Sequence, residues 1–116
     1  MRFQPGEINI VCSDIGTSLH FYRDILGFEA EQDEWGFTHL RAGAFQYVLL
    51  PTAEETPPVQ PYGVIPQLSM GLYVTDLAEA AAYFKEHGVS FAEDLEEGGE
   101  MFVIRDPDGL PWEVTV

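Results

Sequence analysis

The amino-acid sequence predicts an α+β fold made of two tandem β-α-β-β-β modules. Three observations support this fold class. The second half repeats the pattern of the first after a shift of 62 residues, each half opens with an alternating strand and a capped amphipathic helix, and turn residues separate short apolar segments after each helix. We expect the modules to form an eight-stranded mixed, curved sheet around a cleft, with one helix per module packed on the outer face.

The two opening strands show the repeat most clearly, because in both of them apolar residues alternate with more polar ones. The apolar sets that coincide after the shift are Ile8, Ile10 and Cys12 with Met70, Leu72 and Val74. Successive side chains of a strand point to opposite faces, so we expect the apolar sets to lie under the helices. The opposite face is expected to line the cleft, with Glu7, Asn9, Ser69 and Tyr73.

An aspartate precedes each predicted helix, and a glycine follows it. Asp14 and Asp76 are suited to cap the helix N-termini, and Gly27 and Gly88 are suited to end the helices. Apolar residues three and four positions apart form one stripe on each helix. The stripes are Ile15, Leu19, Tyr22 and Leu26 in the first helix and Leu77, Ala81 and Phe84 in the second.

Three short strands are expected after each helix, at residues 28–32, 37–41 and 45–50 and at residues 90–92, 100–105 and 111–116. The prolines of residues 51–66 disfavour both a helix and a central strand. They indicate a semi-extended linker, which could also fold over a cavity mouth. We therefore expect one domain, residues 1–116, with module one at 5–51, the linker at 52–66 and module two at 67–116.

The net charge of −15 is the main anomaly of the composition. A strongly negative surface repels phosphate backbones and favours a cationic partner; the alternative is that the charge serves only solubility. The sequence has no apolar run long enough to span a membrane and no apolar stretch typical of a signal peptide, and its one cysteine, Cys12, excludes an internal disulfide framework. We expect a cytoplasmic protein with no nucleic-acid and no membrane partner.

Two segments resemble the motifs of a known family. Residues 14–28 contain an Asp, a Ser four residues later, then Phe-Tyr and Leu-Gly-Phe, in the order typical of the vicinal oxygen chelate superfamily of glyoxalase I, bleomycin-resistance proteins and extradiol dioxygenases. Residues 106–109, followed by Glu113, resemble the Asp-Pro-Asp-Gly turn and the Glu of the same family. The resemblance covers essentially the whole chain and implies the fold, whereas the fold itself hosts many chemistries.

The resemblance also implies up to four metal ligands, from the first and last strands of each half. Glu113 matches the final Glu of the family pattern, and Glu7 stands where His or Gln is usual. Ser69 stands where His is usual, and Gln46 is the only candidate in its strand, with a register open by one or two residues. The implied metal set is therefore Glu7, Gln46 and Glu113, with Ser69 as a poor fourth ligand.

Zinc, nickel and iron sites prefer imidazole or thiolate ligands. None of the three histidines, His20, His39 and His87, occupies an implied ligand position, although His39 could face the cleft from a middle strand. The cofactor expectation is therefore either none or a divalent ion. The ions considered are Mn, Mg, Ni, Zn and Fe, and an oxygen-rich site favours the harder Mn²⁺ or Mg²⁺.

Two main hypotheses for the function follow, and a partner-binding module that docks through the linker is a third without a specific feature. The first is a metal-free binding protein that holds a small aromatic or cationic ligand in an acidic cleft, as bleomycin-resistance-like relatives do. The second is a divalent-metal-dependent lyase, isomerase or dioxygenase that uses Glu7 and Glu113, with Glu113 as the catalytic residue. The residues expected to bind the ligand are Glu7, Asn9, His39, Gln46, Tyr73, Phe102 and Trp112.

Members of the resembled family usually dimerise, and 116 residues form only a partly closed cleft wall. We therefore expect a homodimer around a small-molecule ligand. Exchange of strands or halves between the two copies stays open.

Overall fold

Each half of the chain folds into the same order of elements: a strand, a helix and three further strands. The computed structural model describes residues 1–116, and its contacts divide the chain into two units, Met1–Glu55 and Thr56–Val116. The α+β fold of two tandem β-α-β-β-β modules is thereby confirmed. The division lies inside the predicted linker, and residues 51–69 form neither a helix nor a strand.

The first unit contains one four-stranded mixed sheet in the order β1-β4-β3-β2. Strands β1 and β4 are parallel, and the other neighbours are antiparallel. The helix between β1 and β2 is α-helical in its first part, called α1, and continues as a π-helical segment. The elements are β1 (Ile8–Val11), α1 (Ile15–Leu19), the π-helical segment (His20–Ile25), β2 (Glu29–Gln32), β3 (Thr38–Ala42) and β4 (Phe45–Leu50).

The second unit repeats this topology, with the strand order β5-β8-β7-β6 and a parallel pair formed by β5 and β8. The eight predicted strands are thus divided evenly between two hydrogen-bonded sheets. The elements are β5 (Met70–Tyr73), α2 (Leu77–Glu86), β6 (Ser90–Glu93), β7 (Phe102–Arg105) and β8 (Pro111–Thr115). Neither helix has the length and hydrophobicity that a membrane span requires.

The predicted helix caps are confirmed in both units. An Asp14 carboxylate oxygen accepts the backbone N–H of Thr17 at 2.8 Å, and an Asp76 oxygen accepts that of Glu79 at 2.9 Å. Gly27 follows the first helix with a φ of 79°. This left-handed conformation favours glycine because it has no Cβ.

The first helix buries a different stripe from the one that the sequence predicts. Of the predicted residues only Tyr22 is fully buried, whereas Leu19 is half-buried. The backbone N–H of Leu26 bonds to the carbonyl of Phe21, five residues earlier. This π-turn does not set the stripe, because Ser18 lies before it and the buried residues keep the ordinary helical spacing of three and four. The residues that the helix buries are Ser18, Phe21, Tyr22 and Ile25.

Both sheets have one apolar face that belongs to the core of their unit. In the second unit the Phe84 ring of α2 packs against the Phe102 ring of β7, with centroids 6.1 Å apart. Strand alternation therefore places the neighbours of Phe102 on the opposite face. The fully buried side chains that alternate along β7 and β8 on the helix side are Phe102, Ile104, Trp112 and Val114.

Candidate functional site

The face of the first sheet that carries polar side chains holds a pocket of about 460 Å³. Cross-strand pairing brings its residues together, because Glu29 lies opposite Arg41, Glu31 opposite His39, and Arg41 opposite Gln46. We call this surface the acidic face. It consists of Glu7, Glu29, Glu31, His39, Arg41 and Gln46, and Ala30 and Leu40 complete the lining of the pocket.

His39 stands at the centre of the acidic face between two carboxylates. Its Nε2 lies 2.8 Å from Asp33 Oδ2, a hydrogen-bond distance. Its Nδ1 lies 3.7 Å from Glu7 Oε1, and the two groups form an ion pair only when the imidazole is protonated. Since the two ring nitrogens point in opposite directions, the two carboxylates do not converge on one point.

Asp33 holds this arrangement in place from the turn between β2 and β3. Its Oδ1 accepts the backbone N–H groups of Trp35 and Phe37, each at 2.9 Å, while its Oδ2 faces His39. The hydrogen bond with His39 and the two backbone hydrogen bonds together hold the pKa of the Asp33 carboxyl below its usual range. The carboxylate therefore fixes both the turn and the orientation of the imidazole.

The acidic face has more negative than positive groups. Arg41 is its only permanent cation, and the guanidinium lies 3.7 Å from the Glu31 carboxylate, with both side chains largely exposed. Glu29 forms no ion pair and no side-chain hydrogen bond, although it lines the same pocket. The pocket therefore presents unneutralised carboxylates to the solvent.

The second unit brings two implied ligand positions together around a tyrosine of the linker. The Tyr62 hydroxyl lies 2.8 Å from Ser69 Oγ and donates to Glu113 Oε2 at 3.1 Å. Ser69 immediately precedes β5, and Glu113 lies in the middle of β8, opposite Gly71. Tyr62 and Glu113 are both half-buried.

Arg105 fastens the same part of the linker to the sheet. Its Nη2 donates to the Gln60 carbonyl at 2.5 Å, and its Nη1 donates to the Gly109 carbonyl at 2.9 Å. The turn that contains Gly109 is itself fixed, because Asp106 Oδ1 accepts the backbone N–H groups of Asp108 and Leu110. The predicted Asp-Pro-Asp-Gly turn thus supports both β8 and the linker.

The four implied ligand positions do not fit a zinc, nickel or iron ion. Glu7 and Gln46 belong to the first unit, and Ser69 and Glu113 belong to the second. The Glu113 carboxylate and the Ser69 hydroxyl are both engaged by Tyr62, and this pair offers no imidazole or thiolate. No group of three or more His, Cys, Asp or Glu side chains is arranged to hold a metal ion.

The other residues expected to bind the ligand do not line the pocket. Asn9 is exposed on the same sheet face as the pocket, and Tyr73, which retains 89% of its accessible surface, is exposed on the sheet face of Glu113. Phe102 and Trp112 have no exposed surface, and Trp112 cannot share a face with its neighbour Glu113 because strand residues alternate. As a correction, we therefore leave these two aromatic residues out of the site.

Sequence reasoning missed several residues of both sites. Glu29, Glu31 and Arg41 could have been found, because alternation along the two strands places them on the face of His39. Asp33 stands in a turn, where a carboxylate typically accepts backbone N–H groups. Tyr62 gave no local signal, since its partners are 7 and 51 residues away in the sequence.

Comparison with known proteins identifies a family whose sequence profile covers nearly the whole chain. The sequence profile of the Glyoxalase/Bleomycin resistance protein/Dioxygenase superfamily matches residues 4–114. A search of the curated proteins finds no significant match.

Several solved structures share the fold. An integron cassette protein from the mobile metagenome of V. cholerae is 23% identical, with a TM-score of 0.70 over 99% of this chain and 96% of that chain. The lactoylglutathione lyase from Agrobacterium tumefaciens is 20% identical, with a TM-score of 0.66 over 97% of this chain and 92% of that chain. The trypanothione-dependent glyoxalase I of Leishmania major is 21% identical, with a TM-score of 0.68 over 94% and 83%.

Proposed function

This chain belongs to the Glyoxalase/Bleomycin resistance protein/Dioxygenase superfamily, and we propose that it is a small-molecule binding protein that holds a cationic, preferably aromatic ligand on the acidic face. The observation that carries the proposal is the pocket lined by three glutamates and a single arginine. Because Arg41 already lies beside Glu31, the carboxylates of Glu7 and Glu29 remain to attract a cation. In this proposal the site needs no metal ion.

The charge of the whole chain supports a cationic ligand. The protein has 20 acidic and 5 basic residues, so its field attracts cations from solution before they contact the pocket. Exposed aromatic rings stand in the turn that follows β2, where Trp35 and Phe37 adjoin Asp33. Such rings add cation–π attraction for a planar cation.

Calorimetric titration with a matched pair of probes tests the proposal. Benzamidine and benzamide have nearly the same shape and differ in charge, so we expect only benzamidine to bind measurably. We expect Glu7→Gln and Glu29→Gln each to weaken benzamidine binding by about fivefold, since one charge pair at about 4 Å in water contributes ~1 kcal/mol.

Glu86→Gln is the matched control, because it removes the same charge from the exposed surface of α2, outside the pocket. It should leave the affinity within about twofold of the wild type, since a distant exposed charge is screened by salt. Equal binding of both probes, or equal effects of all three substitutions, would contradict the proposal.

The alternative function is a divalent-metal-dependent lyase, isomerase or dioxygenase that uses Glu7 and Glu113. The neighbours named lactoylglutathione lyase and glyoxalase I motivate it. The donor chemistry disfavours it, because the Ser69 hydroxyl and the Glu7 carboxylate stand where the family usually has imidazoles. Thermal-shift titration of metal-stripped protein with Mn²⁺, Mg²⁺, Ni²⁺, Zn²⁺ and Fe²⁺ separates the two functions. A stabilisation that Glu113→Gln abolishes would make the enzyme the better account.

A homodimer and a cytoplasmic location are part of the proposal. Large apolar side chains stand exposed in the second unit, among them Leu68 at 80% and Tyr73 at 89% of their accessible surface, and a partner copy would cover such groups. Cys12 is buried and forms no disulfide, which suits a reducing compartment. Sedimentation velocity at micromolar concentration should give the mass of two chains, and a single 13.0 kDa species would contradict the dimer.

A further inference from the structure

The linker residue Tyr62 bonds to two side chains of the second unit, neither of which belongs to the acidic face. We propose that Ser69 and Glu113 form a receptor for the hydroxyl group of a small phenol, and that Tyr62 fills this receptor as a built-in ligand. The linker is then a strap that closes the binding site of the second unit. A free phenolic ligand enters only by displacing the Tyr62 ring.

The hydrogen bonds define what the receptor recognises. An ionised carboxylate can only accept, so the single phenolic hydrogen of Tyr62 is donated to Glu113. The phenolic oxygen then accepts from the Ser69 hydroxyl, at 2.8 Å. The pair therefore presents one acceptor and one donor, which together match a group that both donates and accepts, such as a hydroxyl group.

The surroundings of Glu113 suit an aromatic ring. Its cross-strand neighbour in β5 is Gly71, which has no side chain, so the sheet surface beside the carboxylate stays open on that side. Its neighbour in β7 is Val103, which is fully buried and gives the other side an apolar wall. A polar group beside an apolar wall and an open space suits a small aromatic ligand that carries one hydroxyl.

The strap is held at few points. Residues 51–69 form no regular structure, and the described anchors of the segment around Tyr62 are the two hydroxyl hydrogen bonds and the Arg105 bond to Gln60. Because Tyr62 is tethered to the receptor, it competes with a free phenol at an effective concentration in the millimolar range. A phenol must therefore either exceed this concentration or bind more tightly than the tyrosine in order to open the strap.

Cavity rescue of Tyr62→Ala tests the proposal. The substitution removes the ring and its hydroxyl, and we expect phenol to raise the melting temperature of this variant by several degrees at millimolar concentration. Toluene has the same shape without the hydroxyl and should give little or no increase. Wild-type protein should respond weakly, because Tyr62 already fills the receptor.

Two variants show whether the response belongs to the receptor. Adding Glu113→Gln to Tyr62→Ala should abolish the preference for phenol over toluene. Tyr83→Ala removes another tyrosine of the second unit, one that lies on α2 outside both proposed sites, and should not create a phenol response. Equal effects of phenol and toluene, or a phenol response that survives the loss of Glu113, would overturn the proposal.

Tyr62→Phe keeps the proposal testable if the alanine variant does not fold. It removes only the hydroxyl, so the tethered ring competes less well. We expect 4-fluorophenol to bind to Tyr62→Phe about tenfold more tightly than to the wild type. Fluorine NMR measures both affinities. An unchanged affinity would overturn the proposal, whereas benzamidine binding to the acidic face should be the same in all these variants.

Discussion

At the scale of single residues, Asp33 decides how the acidic face is arranged. One of its carboxylate oxygens receives two backbone N–H groups of the turn, and the other lies within hydrogen-bond distance of His39. Sequence reasoning brought Glu7, His39 and Gln46 together as ligand residues, and these three line one pocket. Asp33 was not among them, because its role depends on side-chain contacts that alternation alone does not predict.

Asp33→Asn should remove a stabilisation that depends on pH. The folded state lowers the pKa of Asp33, so it favours the ionised carboxylate. The stabilisation is then complete above the unfolded pKa of about 3.9 and is lost as the pH falls through the lower folded value. Urea unfolding between pH 2 and 7 should show a difference between wild type and variant that is full at neutral pH and declines in acid.

Glu34→Gln serves as the control for this measurement, because Glu34 is the exposed neighbour of Asp33 in the same turn and forms no hydrogen bond. It should change the free energy of unfolding little at any pH. A difference between Asp33→Asn and the wild type that persisted unchanged to pH 2 would show that the charge of Asp33 does not stabilise the fold.

At the scale of elements, sequence pattern predicted more of the strands than of the helices. The strand at residues 45–50 has the predicted bounds, and the other strands differ by one or two residues at their ends. The strands were predicted well because side chains along a strand alternate with a fixed period of two, which the sequence shows directly. The first helix departs from its predicted stripe because two sets of residues with the same helical spacing share Tyr22, and spacing alone does not show which set is buried.

Two substitutions compare the buried stripes of the helices. Phe84 of α2 is 4% exposed and contacts the Phe102 ring, so Phe84→Ala should lower the free energy of unfolding by about 3–5 kcal/mol. Leu19→Ala should be clearly less destabilising, because Leu19 is only half-buried. Denaturant unfolding measures both, and a larger loss for Leu19 than for Phe84 would contradict the observed helix facing.

At the scale of the whole molecule, the charge distribution gives the two sites different environments. The net charge of −15 draws cations to the protein, and the acidic face of the first unit leaves carboxylates open to them. In the second unit the carboxylate of Glu113 is engaged by Tyr62. The repeat therefore predicted two matching modules, whereas the contacts of one linker residue make the two sites chemically different.

The same net charge should make the stability of the protein depend on salt. Repulsion among carboxylates opposes the compact state, and added salt screens it. We expect the melting temperature at pH 7 to rise by several degrees between about 20 mM and 500 mM NaCl, where the Debye length falls below about 10 Å. At a pH near the sequence pI of 4.1 the rise should largely disappear, and an equal rise at both pH values would contradict this explanation.

Titration of nitrogen-15-labelled protein with benzamidine, followed by backbone amide NMR, shows whether a cationic ligand binds to the acidic face. We expect the largest shifts on Glu7, on Gln46 and on strands β2 and β3, and we expect benzamide to cause none of them. Shifts confined to the second unit, or the same shifts with both probes, would contradict the proposed binding to the acidic face.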